Sequence, residues 1–351
     1  MRYSKNKGTL QDWFYTKEKS VFPSRKDYVS HYNAFKEFLD NEVHPHINTV
    51  MSREEPTMFL NDHSEKHVAM VMEKASDLLS GLSEENGLTP FEAFIFLTAI
   101  QVHDAGHIIQ ANRGTHAIDT EKIIEELNKT ICSLERNFIF DIAKAHSGKE
   151  DLIGNLPTDT KLSNMDVRPK LLAAILRFAD ELADGQERAS NYLMEINKIP
   201  KESLIYHTFS SCLNTFSAVS QEQRVDMFFC VNKAQATTLF KKRKKDKKGK
   251  DTVKSIYLIN EIYERTLKTF NEALYYNRFV PEEIRIKSIK VKITFIEPLK
   301  SVPFFDTIEY RLEEIGYPQL SSYDIFKICS SLTNKDGYKI DGKYINNQIK
   351  S

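Results

Sequence analysis

The sequence has few of the features that mark membrane, secreted and disulfide-bonded proteins. Its 351 residues contain only four cysteines, and no apolar run is long enough to cross a membrane. The N-terminal residues are mostly polar, so we expect no signal peptide. The cysteines are far apart and include no Cys-x-x-Cys pair. This predicts reduced thiols in a cytoplasmic protein, and it argues against a structural zinc site or a disulfide framework.

Net charge and the common nucleotide-binding motifs are also missing. Lysine plus arginine and aspartate plus glutamate each total 49, so overall charge argues neither for nor against a nucleic-acid partner. The chain has no Walker loop and no Gly-x-Gly-x-x-Gly fingerprint, which excludes ATP binding through the folds built on those motifs. What the chain does have is a hydrophobic share of 41%, with 11% aromatic residues, which is enough for a core.

The hydrophobic spacing divides the chain into a helical part and a mixed part. Only helices are predicted up to about residue 198, which suggests one helical domain over residues 1–198. An α+β module is predicted over residues 199–351. Its predicted elements are strands at 225–231 and 289–295, a helix at 256–276 and a hairpin at 338–345 around Asp341-Gly342.

One predicted helix ends in a histidine and an aspartate. Thr89 and Pro90 form a good helix start, and the residues up to His103 are apolar nearly all round, so this helix is expected to be buried. Burying an unpaired carboxylate is costly, so Asp104 needs a cation or several hydrogen-bond donors. The alternative is a core histidine beside a capping aspartate.

Other predicted helices carry histidine or aspartate on one face or at the end of an apolar face. His63 and His67 are four residues apart and share one face of a helix that begins near residue 63, after a cap at 61–62. His146 follows an apolar series with a spacing of four, formed by Leu134, Phe138 and Ile142. Asp180 ends the apolar face of a helix that begins at Pro169. An earlier helix, from about residue 27, is predicted to end at Pro45.

The order of these residues resembles the H…HD…D motif of the HD-domain metal-dependent phosphohydrolases. His67 has an apolar residue four positions later, His103-Asp104 is similar to the step that gives the family its name, and Asp180 lies in an Ala-Asp step. The resemblance covers about residues 55–195. It implies a mainly α fold, in which an HD-type helical bundle holds one or two divalent ions and a smaller α+β C-terminal module follows.

The resemblance also implies a role for each candidate residue. Either His63 or His67 would be the first metal ligand, and the apolar spacing favours His67. Asp104 would bridge two ions, and His116 or His63 would protonate the leaving oxygen. The expected metal ligands are His67, His103, Asp104, Asp180 and His146. The expected substrate contacts are His107, Asp184 and Arg188, although an ion pair between Asp184 and Arg188 is an alternative.

The function implied is a phosphohydrolase or phosphodiesterase that uses metal-activated water on a nucleotide, cyclic nucleotide or short nucleic acid. Imidazole and carboxylate ligands suit manganese, iron, nickel, cobalt or zinc, and magnesium is a further candidate. The alternative is a non-catalytic nucleotide-binding module that signals through its C-terminal domain. The sequence resembles the HD branch of bacterial conflict and signalling proteins, which implies an ATPase-type protein partner. No membrane partner is expected.

A basic run is the one strongly biased segment. Residues 241–254 contain nine lysines and arginines and two aspartates, a local net charge of +7. We predict a solvated, mobile loop that joins a strand to a helix. The alternative is a contact of Lys241–Lys250 with the phosphate backbone of a nucleic acid. No aromatic residue interrupts the run, so base stacking is not expected there.

Overall fold

Helices form the first part of the chain, and strands mixed with helices form the second, as the hydrophobic spacing predicts. The computed structural model describes residues 2–4, 8–54, 65–109, 116–148, 150–245, 251–297, 302–314 and 324–350. The chain forms two units. The first consists of Met1–Pro56, Asp62–Ala183 and Tyr275–Arg285, and the second of Thr57–Asn61, Asp184–Leu274 and Ile286–Ser351. None of the helices in the described ranges is both long enough and apolar enough to span a bilayer.

The first unit contains eight of the described α-helices and one small hairpin. The helices are α1 (Leu10–Tyr15), α2 (Tyr28–Phe38), α3 (His44–Glu54), α4 (Glu65–Leu79), α5 (Pro90–Val102), α6 (His116–Ile124), α7 (Ser133–Lys144) and α8 (Pro169–Leu182). The hairpin joins β1 (Thr160–Leu162) to β2 (Met165–Val167). The prediction of helices only was wrong for this hairpin, because each strand has three residues, too few for a visible alternation.

Helix α5 forms as predicted and is buried along its whole length. The Thr89 hydroxyl accepts a hydrogen bond from the Glu92 amide, and the Glu92 carboxylate accepts one from the Thr89 amide, so a capping box starts the helix. Arg168 donates to both oxygens of the buried Glu92 side chain and to the backbone carbonyls of Asn86 and Gly87. The ion pair of Arg168 with Glu92 therefore fixes the start of α5, because each side chain also binds backbone groups there.

Two predictions about the first unit were wrong in detail. The helix from residue 28 does not end at Pro45, because a π-helical turn at Leu39–Val43 leads directly into α3, and proline is tolerated in the first turn of a helix. In α7, the predicted apolar series begins at Leu134, but this side chain is 61% exposed. The buried face of α7 is formed by Glu135, Ile139, Ile142 and Ala143, and His146 is buried just beyond the helix.

The second unit contains a four-stranded sheet. Its order is β3 (Leu213–Val219), β4 (Arg224–Val231), β7 (Ser288–Glu297) and β8 (Val302–Glu313). Strands β4 and β7 are parallel, and the outer pairs are antiparallel. The remaining helices are α9 (Asn191–Glu195), α10 (Leu204–Cys212), α11 (Lys233–Thr237), α12 (Leu258–Tyr276), α13 (Ile325–Ile328) and α14 (Gly342–Lys350). The predicted strands at 225–231 and 289–295 and the predicted helix at 256–276 are confirmed as β4, β7 and α12.

The described parts of the basic run form strands and not the predicted loop. Residues on both sides of its centre form the antiparallel strands β5 (Leu239–Lys245) and β6 (Asp251–Tyr257), with Lys242 opposite Lys254. Residues 246–250 lie outside the described ranges. Two carboxylates of α12 neutralise part of the run, because Lys242 pairs with Glu261 and Glu264, and Lys254 pairs with Glu264. Cross-strand pairing and these ion pairs order a segment that its composition alone predicts to be mobile.

The predicted hairpin at 338–345 was also wrong, because its second half is the start of α14. Asp341 acts as a helix cap, and its carboxylate accepts a hydrogen bond from the Tyr344 amide at 2.9 Å. A Cβ on Gly342 would lie 2.2 Å from Cβ of Tyr257. The Asp-Gly pair therefore serves a helix cap and a close packing contact, and the same pair is common in hairpin turns.

Candidate metal centre

Six side chains of the first unit form two adjacent groups of metal-type ligands. His67 comes from α4, His103 and Asp104 follow the end of α5, His116 begins α6, His146 follows α7, and Asp180 comes from α8. The first group is His67, His103 and Asp180, and the second is Asp104, His116 and His146. Within each group, the ligand atoms lie within 4.8 Å of one another. The side chains predicted as metal ligands from distant parts of the sequence thus lie together.

Asp104 links the two groups because each of its carboxylate oxygens faces a different one. Its Oδ2 atom is 3.5 Å from Nε2 of His67 and 3.5 Å from Nε2 of His103. Its Oδ1 atom is 3.4 Å from Nε2 of His116 and 3.4 Å from Nε2 of His146. This is the placement expected of a carboxylate that bridges two cations.

Two of the histidines have their outer ring nitrogen fixed by the backbone. Nδ1 of His103 donates to the Ile100 carbonyl at 2.8 Å, and Nδ1 of His146 donates to the Ala143 carbonyl at 2.5 Å. A hydrogen on Nδ1 leaves the lone pair of the neutral ring on Nε2, which points into the centre. Metal-ligating histidines commonly have this second contact.

The charges of the centre are strongly coupled. Burial disfavours a charged ring at His103, but the carboxylates of Asp104 and Asp180 outweigh it and raise the pKa of His103 from 6.5 to about 9. Burial acts against ionisation of Asp180, but the adjacent rings of His103 and His67, whose Nε2 atoms lie 3.8 and 3.1 Å from its Oδ1, outweigh it and hold the pKa of that carboxyl well below 3.8. Without a cation, the centre therefore favours a protonated histidine beside ionised carboxylates.

The donor set fits a divalent cation. The Nε2 atom of His103 is buried and has no hydrogen-bond partner among the described residues, while its neighbours are carboxylate oxygens at 3.5 and 3.8 Å. A buried polar atom of this kind is costly unless something occupies the space beside it. Imidazole nitrogens with carboxylate oxygens, and without thiolates, suit manganese, iron, cobalt, nickel or zinc.

His107, predicted as a substrate contact, lies beside the second group. Its ring stacks on that of His116, with centroids 4.0 Å apart and planes 7° apart, and its Nε2 is 4.0 Å from Oδ1 of Asp104. His107 therefore supports the ring of His116 from one side. Its role towards a substrate stays a prediction.

The structure does not add the remaining predicted residues to this centre. His63 lies outside the described residues. Asp184 and Arg188 belong to the second unit. The Asp184 carboxylate pairs with Arg265 at 3.0 Å and accepts a hydrogen bond from Ser210 at 2.6 Å, and its predicted ion pair with Arg188 stays a prediction. Their role as substrate contacts stays a prediction.

Residues that the sequence did not single out hold the turn after α5 in place. Gly106 donates from its amide to Oγ1 of Thr120 at 3.3 Å, and Thr120 lies on α6, one turn after His116. On the opposite side, Nε2 of the buried His44 donates to the Gln101 carbonyl at 3.0 Å. The glycine in the His-Asp-Ala-Gly step was the one available signal for these contacts.

A helical unit with two adjacent clusters of histidine and aspartate defines an HD-type domain. A family model described as HD-CE matches residues 55–246, which is more than half of the chain. The chain belongs to this family. Comparison with curated proteins and comparison with solved structures each returned no match. The predicted resemblance to HD-domain proteins is therefore confirmed, whereas the placement in a bacterial conflict branch stays a prediction.

Proposed function

We propose that the protein is a divalent-metal-dependent phosphohydrolase that acts on a nucleotide. One observation supports this most directly: the two oxygens of Asp104 face two separate groups of histidines, at 3.4 and 3.5 Å. A carboxylate placed in this way can hold two cations at a short separation. Membership of the HD-CE family agrees with that chemistry.

Each ligand group has a distinct task in this proposal. A bound divalent ion supplies Lewis-acid polarisation of a phosphoryl oxygen and activation of water. His67, His103 and Asp180 would hold the first ion, with Asp104 shared between the two groups. His146 and His116 would hold a second ion. When only the first group is occupied, His116 would give a proton to the leaving oxygen.

We favour a small nucleotide over a long nucleic acid as the substrate. The chain has no net charge, and Lys242 and Lys254 of the basic run are already paired with carboxylates of α12. Less of the positive charge of the run is therefore left for a polyanion. Replacing the exposed Lys241 and Lys244 with glutamine should leave turnover of a small nucleotide unchanged, whereas a nuclease should lose activity on single-stranded DNA.

Two experiments test the proposal. Elemental analysis identifies the metal in the purified protein, and an activity assay then offers nucleotides and oligonucleotides with each divalent ion in turn. We expect phosphate release or nucleotide conversion that stops in chelator and in Asp104→Ala. Asp159→Ala removes an exposed carboxylate outside the centre and should retain activity. Metal-loaded protein that converts none of these compounds would contradict the proposal. Nucleotide binding without conversion would favour the regulatory alternative.

A further inference from the structure

A π-helical turn lies directly before a buried histidine of the first unit. Leu39–Val43 forms this turn between α2 and α3, and α3 begins at His44. His44 is 1% exposed, whereas His46, two residues later, is exposed. Turns of this kind inside helices are frequent at functional sites, because the extra residue changes which side chains face inward.

Both ring nitrogens of His44 meet acceptors. Nε2 lies 3.0 Å from the backbone carbonyl of Gln101, and Nδ1 lies 3.3 Å from Oδ1 of Asp40. A carbonyl oxygen can only accept, so Nε2 donates to Gln101, while Nδ1 faces the Asp40 carboxylate. The imidazole therefore connects the π-helical turn, through Asp40, to the end of α5.

The carbonyl that accepts from His44 belongs to the last turn of α5. Carbonyls in the last turn of a helix have no partner inside the helix, and they carry the negative end of its dipole. Gln101 is also held through its side chain, whose Nε2 donates to the Tyr32 hydroxyl at 3.0 Å. His103 and Asp104 follow directly after this anchored turn.

We propose that His44 is a positioning residue for the metal centre. Through the Gln101 carbonyl it fixes the end of α5, and so the positions of His103 and Asp104. Metal ligands must be held within a few tenths of an ångström of their ideal distances, so a small shift at the end of α5 lowers metal affinity. The inference rests on the metal centre of the proposed function and adds a residue outside the ligand set.

Two substitutions of His44 remove the ring, but only one of them can keep the hydrogen bond to Gln101. The amide nitrogen of glutamine lies near the position of histidine Nε2, and that of asparagine lies near Nδ1. His44→Gln can therefore keep the bond to Gln101, whereas His44→Asn loses it and keeps the contact with Asp40. His46→Asn makes the same change at an exposed position of α3 and is the matched control.

The test uses two measurements on the full-length protein. One is its metal affinity, by competition with a chelating dye, and the other is the absorption spectrum of bound Co²⁺. We expect His44→Asn to bind Co²⁺ about 10-fold or more weakly, with an altered spectrum, and His44→Gln and His46→Asn to resemble the wild type. Wild-type affinity and spectrum in His44→Asn would overturn the inference, as would equal losses in His44→Asn and His44→Gln.

Two further results keep this test decisive. If the wild-type protein binds no divalent ion, the proposed function fails before the role of His44 is tested. If His44→Asn does not fold, His44→Leu takes its place, because leucine fills the buried space and has no donor for the Gln101 carbonyl. We expect His44→Leu to bind Co²⁺ more weakly than the wild type, and unchanged affinity would overturn the inference.

Discussion

Gly106 lies so close to the backbone of His116 that a Cβ on Gly106 would be 1.9 Å from the His116 carbonyl oxygen. The same atom would be 2.8 Å from the amide nitrogen of Thr120. These neighbours are backbone atoms of α6 and have no rotamer by which to move away. The absence of a side chain at Gly106 therefore lets the turn after Asp104 approach the helix that carries His116.

Gly106→Ala should push this turn and α6 apart. We expect the free energy of unfolding to fall by about 1–3 kcal/mol or more, and the metal content to fall with it, because His116 moves away from Asp104. Urea unfolding and elemental analysis measure the two effects. Ile118→Ala, at an exposed position of α6, is the control. A Gly106→Ala protein with wild-type stability would show that the contact is not needed.

The two groups around Asp104 should be separable by mutation. We expect the wild-type protein to bind two divalent ions, His146→Ala to bind one, and Asp104→Ala to bind neither tightly, because the two oxygens of Asp104 face the two groups. Equilibrium dialysis followed by elemental analysis measures the stoichiometry. His31→Ala changes a histidine outside both groups and should leave two ions bound. Full metal content in His146→Ala would contradict a second ion held by that group.

The metal-free protein should become less stable as the pH rises above neutrality. The folded protein raises the pKa of His103 to about 9, so the contribution of this group is complete below about pH 6.5 and is lost as the pH rises towards 9. The loss is at most about 3 kcal/mol of the free energy of unfolding. The lowered pKa of Asp180 works in the other direction, and its contribution is lost only as the pH falls below about 4.

Urea unfolding of chelator-treated protein between pH 5.5 and 9 checks this pH dependence. A bound metal needs a neutral imidazole, so the increase in melting temperature on adding metal should be larger at pH 8.5 than at pH 6. His103→Gln has no titratable group at this position, so its stability should change less between pH 5.5 and 9. Stability of the metal-free wild type that rises from pH 5.5 to 9 would contradict the coupling described for His103.

The ion pair at the start of α5 should matter more for stability than for metal binding. Arg168→Met leaves the carboxylate of Glu92 buried, with only the Thr89 amide and the Arg168 amide to bind it. We expect a loss of about 3–5 kcal/mol in the free energy of unfolding by urea denaturation. Adding Glu92→Gln to Arg168→Met removes the buried charge and should recover part of the loss. An Arg168→Met protein within 1 kcal/mol of the wild type would contradict a structural role for the pair.

The parts of the fold that the sequence predicted are those with a strong local signal. The Thr89-Pro90 start and the apolar residues after it predicted α5, and the alternation in residues 289–295 predicted β7. The resemblance to the H…HD…D motif implied His67, His103, Asp104, His146 and Asp180 as metal ligands, and the coordinates bring them into two adjacent groups. A helix start and a hydrophobic period are visible in a few consecutive residues, so they can be recognised without knowing the fold.

The features that the sequence did not predict depend on partners far along the chain. Lys242 belongs to a strand because Lys254 lies opposite it and two carboxylates of α12 form ion pairs with it. The sequence of the basic run alone shows neither the strand pairing nor the ion pairs. Asp341-Gly342 favours a turn locally, but packing against Tyr257 makes it a helix start. At the start of α7, Glu135 and Ile139 are buried where the predicted series has Leu134 and Phe138, because packing against neighbouring helices and not spacing alone determines the buried face.

The first unit is completed by residues that come late in the chain. Tyr276, at the end of α12, is buried and stacks on Phe178 with ring centroids 4.8 Å apart, and Glu283 accepts hydrogen bonds from Ser83 and Asn86. During synthesis, the ribosome must therefore deliver residue 285 before this unit can close around its metal-type ligands. A recombinant fragment cut at the end of the family match would expose the hydrophobic surface that Tyr276 covers, and it should aggregate more readily than the full-length chain.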